Sequence, residues 1–241
     1  MKIKSLTPQE SSTEKLFDSY LIEGCDSFDK LLEVYQEFKM NNPDKSIIIT
    51  LDNLDQAEYT STHAILFNNL DNIEGYDLSN VDSAAFENGE HIGYLSTPSE
   101  FFIQRDNFLN QTKKVDFSEA CNRGLSMETK EISTLEKVNA SPIQYIDKKI
   151  IVKVVPVKNS YEAIAGFPNG YFSCDLNPFE NYALAKLLSE KYGYELFGIG
   201  ASLIGFVNDN FLYDHQRKEL IKDLAKLYDS HEEIFDKLLK L

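Results

Sequence analysis

The run Lys149-Ile-Ile-Val-Lys-Val-Val-Pro-Val157 constrains the fold more than any other segment. It is too short and too β-branched for a helix, and its branched side chains suit a pleated, buried strand. Pro156 removes a backbone donor, so an edge position or the end of the strand is expected there. A second run, Ser46-Ile-Ile-Ile-Thr-Leu51, reads as another short buried strand. Tyr194–Ile199 and Ser202–Val207 read as two more, forming a hairpin around Gly200.

Helices to cover such a sheet are signalled by caps and apolar spacing. Ser27–Asn41 carries Phe28, Leu31, Leu32, Tyr35 and Phe38 on one face, and Asn42-Pro43 stops it. Thr97-Pro98-Ser99-Glu100 is a capping box that opens a helix burying Phe101, Phe102, Phe108 and Leu109. Asn177-Pro-Phe-Glu180 opens another, which runs to Tyr192 and ends at Gly193 in a left-handed stop. Asp214 is expected to cap a helix with Leu220, Ile221, Leu224, Leu227 and Tyr228 facing inward. Ser230-His-Glu-Glu233 is expected to cap a last one that buries Ile234, Phe235, Leu238 and Leu239. Residues 122–142 are polar without steady periodicity and read as a connector. Strands and helices do not alternate regularly. The expected class is therefore α+β, a mixed or antiparallel sheet of short strands packed with several helices. The expected division is an acidic N-terminal α+β region over 1–121, the connector over 122–142 and a C-terminal α+β module over 143–241.

Charge is distributed unevenly. The 241 residues hold 39 acids and 24 Lys/Arg, a formal charge of −15. Between Lys45 and Arg105 there is no Lys or Arg at all, while ten acids fall in that window. A field of one sign repels phosphate backbones and argues against nucleic acid as a partner. It steers a basic protein toward this half of the chain. Asp52, Asp55, Glu58, Asp71, Glu74 and Asp77 would supply the charge, and Tyr59, Tyr76 and Phe86 would be aromatic anchors. A solubilising acidic surface is the plainer explanation of the same composition.

Chemistry is sparse. None of His63, His91, His215 and His231 has a second His or Cys at metal-ligand spacing, so neither a metal nor a cofactor is expected. His63 and His91 lie in the acidic window, where carboxylates favour protonated imidazole and make pH-sensitive contacts. No serine-hydrolase elbow and no phosphate-binding glycine loop of the nucleotide-triphosphatase type occurs. Gly198–Gly205 is glycine-rich but does not join a strand to a helix, which a dinucleotide site requires. Cys25, Cys121 and Cys174 are too few and too scattered for a disulfide framework. With no apolar run of transmembrane length and a polar start, MKIKSLTPQESSTEK, a cytoplasmic protein away from membranes is expected.

One segment resembles a known family. Val155-Pro-Val157, Tyr161–Phe167, Gly170-Tyr-Phe-Ser-Cys174 and Ala183–Tyr192-Gly193-Tyr-Glu195 together resemble the bacterial DUF4253 family over about residues 150–228. Gly170 and Cys174 stand where the family's loop has its glycine and cysteine, and Tyr192-Gly193 with Glu195 matches its helix end. Tyr171-Phe172 replaces the family's Trp-Asn, and this chain has no tryptophan. The resemblance implies a C-terminal α+β module, bacterial origin and a small accessory protein, with Gly170, Tyr171, Cys174, Asn177, Tyr192 and Gly193 as the motif loop and its flanks. It implies no reaction.

The expectation from the sequence is a non-enzymatic interaction protein of the immunity-inhibitor kind, its acidic face docked on a basic toxin or effector. The alternative is an enzyme of unspecified reaction at the Gly170–Pro178 loop, with Tyr171, Cys174 and Asp175 as first candidates. Oligomeric state is not readable from the chain.

Overall fold

The computed structural model describes residues 1–6, 15–172 and 175–239. In chain order the described residues form β1 (Lys2–Ser5), β2 (Asp18–Glu23), α1 (Phe28–Asn41), β3 (Ser46–Thr50), α2 (Leu54–Phe67), β4 (Phe86–Glu87), β5 (Glu90–His91), α3 (Phe101–Thr112) and α4 (Phe117–Cys121). There follow α5 (Thr129–Ala140), β6 (Lys149–Val155), α6 (Pro178–Tyr192), β7 (Glu195–Ile199), β8 (Ile204–Val207), α7 (Asp214–Leu227) and α8 (Glu232–Leu238). Six strands make one mixed sheet in the order β1-β2-β6-β3-β7-β8, and β4 and β5 pair as a separate small hairpin. The class is α+β.

β6 lies in the interior of the sheet. It is antiparallel to β2, with Ser19 opposite Lys153, and to β3, with Ile48 opposite Lys153. Pro156 thus marks the end of an interior strand, and the edge alternative does not hold: the ladder finishes at Val155, before the missing N–H is needed. β3 and β7 are parallel, and β7 turns back into β8 as the expected hairpin. Strands from residues 1–121 and from 143–241 therefore interleave in one sheet. The boundary expected near 121–143 divides the chain but does not separate two cores.

Period-two alternation sends the side chains of each strand to two layers. On one side Ile47, Ile49, Ile150, Val152 and Val154 meet Leu31, Val34 and Tyr35 of α1. On the other, Ile48, Val155, Leu196 and Ile199 meet Ala57 of α2, Phe101 and Phe108 of α3, Phe179 and Tyr182 of α6, and the 3-10 turn Ser160–Ala165. Lys153 faces this second layer. It is 1% exposed, its ammonium lies 4.5 Å from the centre of the Phe167 ring, and burial lowers its pKa to about 7.

β1, β2 and α4 were not expected from the sequence, and α7 is capped at Tyr213 with Asp214 already inside its first turn; two further differences bear on the packing and the surface. Residues 122–142 contain the helix α5, started by a capping box between Glu128 and Glu131. It buries no residue of its own completely, but Leu135 packs on Phe235 and Leu238 of α8 together with Ile221 of α7. Ile132, Leu135 and Val138 recur at three-residue spacing and are each only partly covered, so the helix has a narrow apolar stripe set in a polar segment. The second difference is α2, which lies in the acidic window and was not expected.

Candidate interaction surface

The start of α2 is tied down from three directions. The Asp52 carboxylate accepts the Ser202 and Leu203 N–H groups at 3.0 and 3.1 Å, and the Asp52 carbonyl accepts from Ala201 N–H. Gly200 permits this approach, since a Cβ there would stand 1.9 Å from Asp52 Oδ1. Asn53 takes the left-handed conformation (φ 45°), and its side chain accepts the Gln56 N–H as the helix cap. The Leu54 N–H donates to Asp147 Oδ2 at 3.0 Å, a bond that holds the Asp147 carboxyl below its ordinary pKa.

From this anchored end the helix packs Ile65 partly on the core and turns Tyr59, Leu66 and Phe67 outward. Its buried residues are Ala57, Thr60, Ser61 and Ala64. Tyr59 is 49% exposed, Leu66 57% and Phe67 77%. Asp55, Tyr59, His63 and Phe67 recur at four-residue spacing, so they line one stripe of the helix. The Tyr59 and His63 rings are 4.0 Å apart, and His63 Nδ1 lies 2.9 Å from the Tyr59 carbonyl oxygen.

The motif loop completes the patch. Gly170 has φ +103°, and a Cβ there would fall 1.9 Å from the Leu176 carbonyl oxygen, so no other residue fits. Asn169 donates to the Gly200 carbonyl at 2.7 Å, and Asn181 donates to the Asn169 carbonyl at 3.2 Å. Held this way, Tyr171 lies over the α2 stripe. Its ring centre is 5.0 Å from His63, 6.4 Å from Phe67 and 6.5 Å from Tyr59, with Phe172 beside it at 5.6 Å. Tyr171 and Phe172 remain 39% and 42% exposed. The result is a contiguous exposed cluster of five rings from two distant parts of the chain.

Acid borders the cluster. Asp55 heads the stripe and is exposed. Glu58 lies one turn on, and burial together with the Asp55 charge raises its pKa. Asp71, Glu74 and Asp77 follow the other end of a helix about 20 Å long. Asp77 accepts the Ser79 N–H in a local turn. Tyr76 is tied to α3 instead: its hydroxyl donates to Asn107 Oδ1 at 2.9 Å and its ring lies edge-on to Phe102. Phe86 packs edge-on against His91, whose Nε2 is 2.6 Å from Glu100 Oε1 in a buried pair.

Of the residues expected on the acidic face, the structure brings Asp55, Glu58 and Tyr59 together. Asp52 and Tyr76 are engaged in holding the fold. Within the motif, Gly170 shapes the loop and Tyr171 joins the surface. Asn177 caps α6, accepting the Phe179 and Glu180 N–H groups. Tyr192 donates to Asp223 at 2.5 Å, and Gly193 ends the helix at φ +76°. Cys174 lies outside the described residues. The Asp175 N–H donates to the Phe172 carbonyl at 3.1 Å. His63 was expected only as a pH-sensitive contact, and Phe67 and Phe172 were missed as surface residues, although the four-residue recurrence from Asp55 to Phe67 is visible in the sequence.

Among the described residues no group of three or more His, Cys, Asp or Glu could hold a metal ion, and no helix is long and apolar enough to cross a membrane. No family model, no curated protein and no solved structure matches the chain.

Proposed function

We propose that the chain is a non-enzymatic interaction protein of the immunity-inhibitor kind, which receives a basic protein on the aromatic stripe of α2 and the Tyr171-Phe172 loop. The observation that carries this reading is the reversed dressing of α2, small residues inward and Tyr59, His63 and Phe67 outward. An exposed contiguous apolar patch marks a contact surface more often than chance. Aromatic anchors give most of the energy of such contacts, and an arginine stacked on Tyr59 or Tyr171 with its charge against Asp55 or Glu58 would satisfy both parts of the patch. The lack of Lys or Arg from residue 46 to residue 104 leaves that acidic field uncompensated along the sequence.

The test compares the wild-type chain with an Asp55→Lys/Phe67→Ser variant in capture from a bacterial lysate, at low and high salt, and then measures association of the purified partner. A basic protein held by the wild type, released by salt and lost with the variant is the expected result. Binding should weaken by about 30-fold or more, since a central anchor contributes about 2 kcal/mol or more. A partner retained equally by both chains would place the contact elsewhere.

A further inference from the structure

On the other side of the sheet, where α1 ends and β3 begins, lies a cleft of ≈ 270 Å³ whose lining includes Tyr35, Lys39, Lys45, Lys158, Ser160 and Glu195. Three lysines meet there in a chain of net charge −15. Their charges are not equally spent. Lys39 is paired with Glu195. Lys45 reaches Asp18 only at 3.4 Å, and both side chains are well exposed. Lys158 makes no ion pair among the described residues and is exposed.

Two hydroxyls add donors. Ser160 Oγ accepts the Leu196 N–H at 3.1 Å, which leaves its own proton to give. Tyr35 lines the cleft, and its hydroxyl, which is not itself sealed from solvent, makes no hydrogen bond to the described residues. Burial, with the Glu195 and Asp209 charges, raises its pKa, so the phenol stays protonated and acts as a donor.

We propose that this cleft binds the phosphate group of a small phosphorylated molecule of sugar-phosphate size. Lysine ammoniums recognise phosphate as point charges, and Lys45 and Lys158 have the least competition for that role. The volume falls just below the range of pockets for drug-sized ligands, which admits a phosphate with a short polar body and excludes a large one. The polar donors Tyr35 and Ser160 suit the hydroxyls of such a body. Nucleic acid is disfavoured by the acidic surroundings.

The test is a titration of the isotopically labelled full chain with inorganic phosphate, ribose 5-phosphate and ribose, followed by amide chemical shifts. Saturable shifts at Lys45, Lys158, Asn159 and Ser160 are expected with both phosphates, tighter for ribose 5-phosphate and absent for ribose. Lys158→Gln and Lys45→Gln, both on exposed side chains, should each weaken binding by about tenfold. Lys114→Gln, a surface change elsewhere, should leave it unchanged. Absence of saturation up to about 20 mM of either phosphate, or shifts indifferent to the two cleft lysines, overturns the proposal. A chain that binds phosphate but keeps its protein partner after Lys158→Gln leaves the α2 reading untouched, so the two sites fail separately.

Discussion

Helices α1 and α2 have 14 residues each and flank the same strand, β3, yet they spend their side chains in opposite ways. α1 buries Leu31, Val34 and Tyr35 against aliphatic strand residues and leaves charge outside. α2 buries Ala57, Thr60, Ser61 and Ala64 and leaves its rings outside. The contrast separates two uses of a helix. The first holds the fold through apolar burial, roughly 1.5–3 kcal/mol for each large side chain removed from water. The second seats mostly by close approach of small residues and leaves Tyr59, Leu66 and Phe67 exposed.

That contrast can be broken most strongly on the α1 side. Leu31→Ala removes a fully buried side chain and should cost about 2–5 kcal/mol in urea unfolding, with little change in slope. On α2 the fragile point is its small face. Ala57 is 0% exposed, so Ala57→Leu should overpack it and cost about 1–3 kcal/mol, where the same apolar gain in an open site would stabilise.

The sheet faces differ as the helices do. The layer under α1 contains no charged residue among its buried side chains, whereas the opposite layer contains Lys153. The folded-state pKa of Lys153, about 7, lies below its ordinary value of 10.5, so between these values the unfolded chain binds more protons. Stability should therefore rise with pH across that window by up to about 1.4 kcal/mol per unit. Lys153→Met should flatten the rise, as denaturation at pH 7, 8, 9 and 10 would reveal. A rise that survives the substitution assigns it to other groups. The smallest effect is expected for Phe67→Ala: at 77% exposure it should change stability by less than about 0.5 kcal/mol, as urea denaturation would show.

The same contrast explains what could be read from the residues. α1, β3, β6 and α6 follow rules that act within a short window: apolar recurrence, β-branching, a capping box, a left-handed glycine stop. α2 carries its ring recurrence on the outward face, while its inward face is mostly small and partly polar, the reverse of an amphipathic pattern. β2 is legible only through its partners, for Asp-Ser-Tyr-Leu-Ile-Glu becomes a strand by pairing with Lys149–Val154 of β6 and with β1. The surface was half legible. Asp55, Glu58 and Tyr59 were visible as acid and ring in one window. Their meeting with Tyr171 depends on the Asn169–Gly200 bond and the Gly170 turn, contacts that no local pattern encodes. The carboxylates also look alike in sequence, although Asp52 accepts backbone amides and Asp55 faces solvent.

The place of β6 has a consequence for how the chain is made. Val154 pairs with Asp18 on one side and with Ile47 on the other, so the two halves of the sheet have no common neighbour until that strand has left the ribosome. At ordinary elongation rates the interval between the emergence of β3 and of β6 is about 5–20 s. During that time the isoleucines of β3 and the acidic stretch behind it are present without their central partner. An unpaired apolar strand is an aggregation hazard, and acids close to it in the chain oppose its pairing with a second copy at short range.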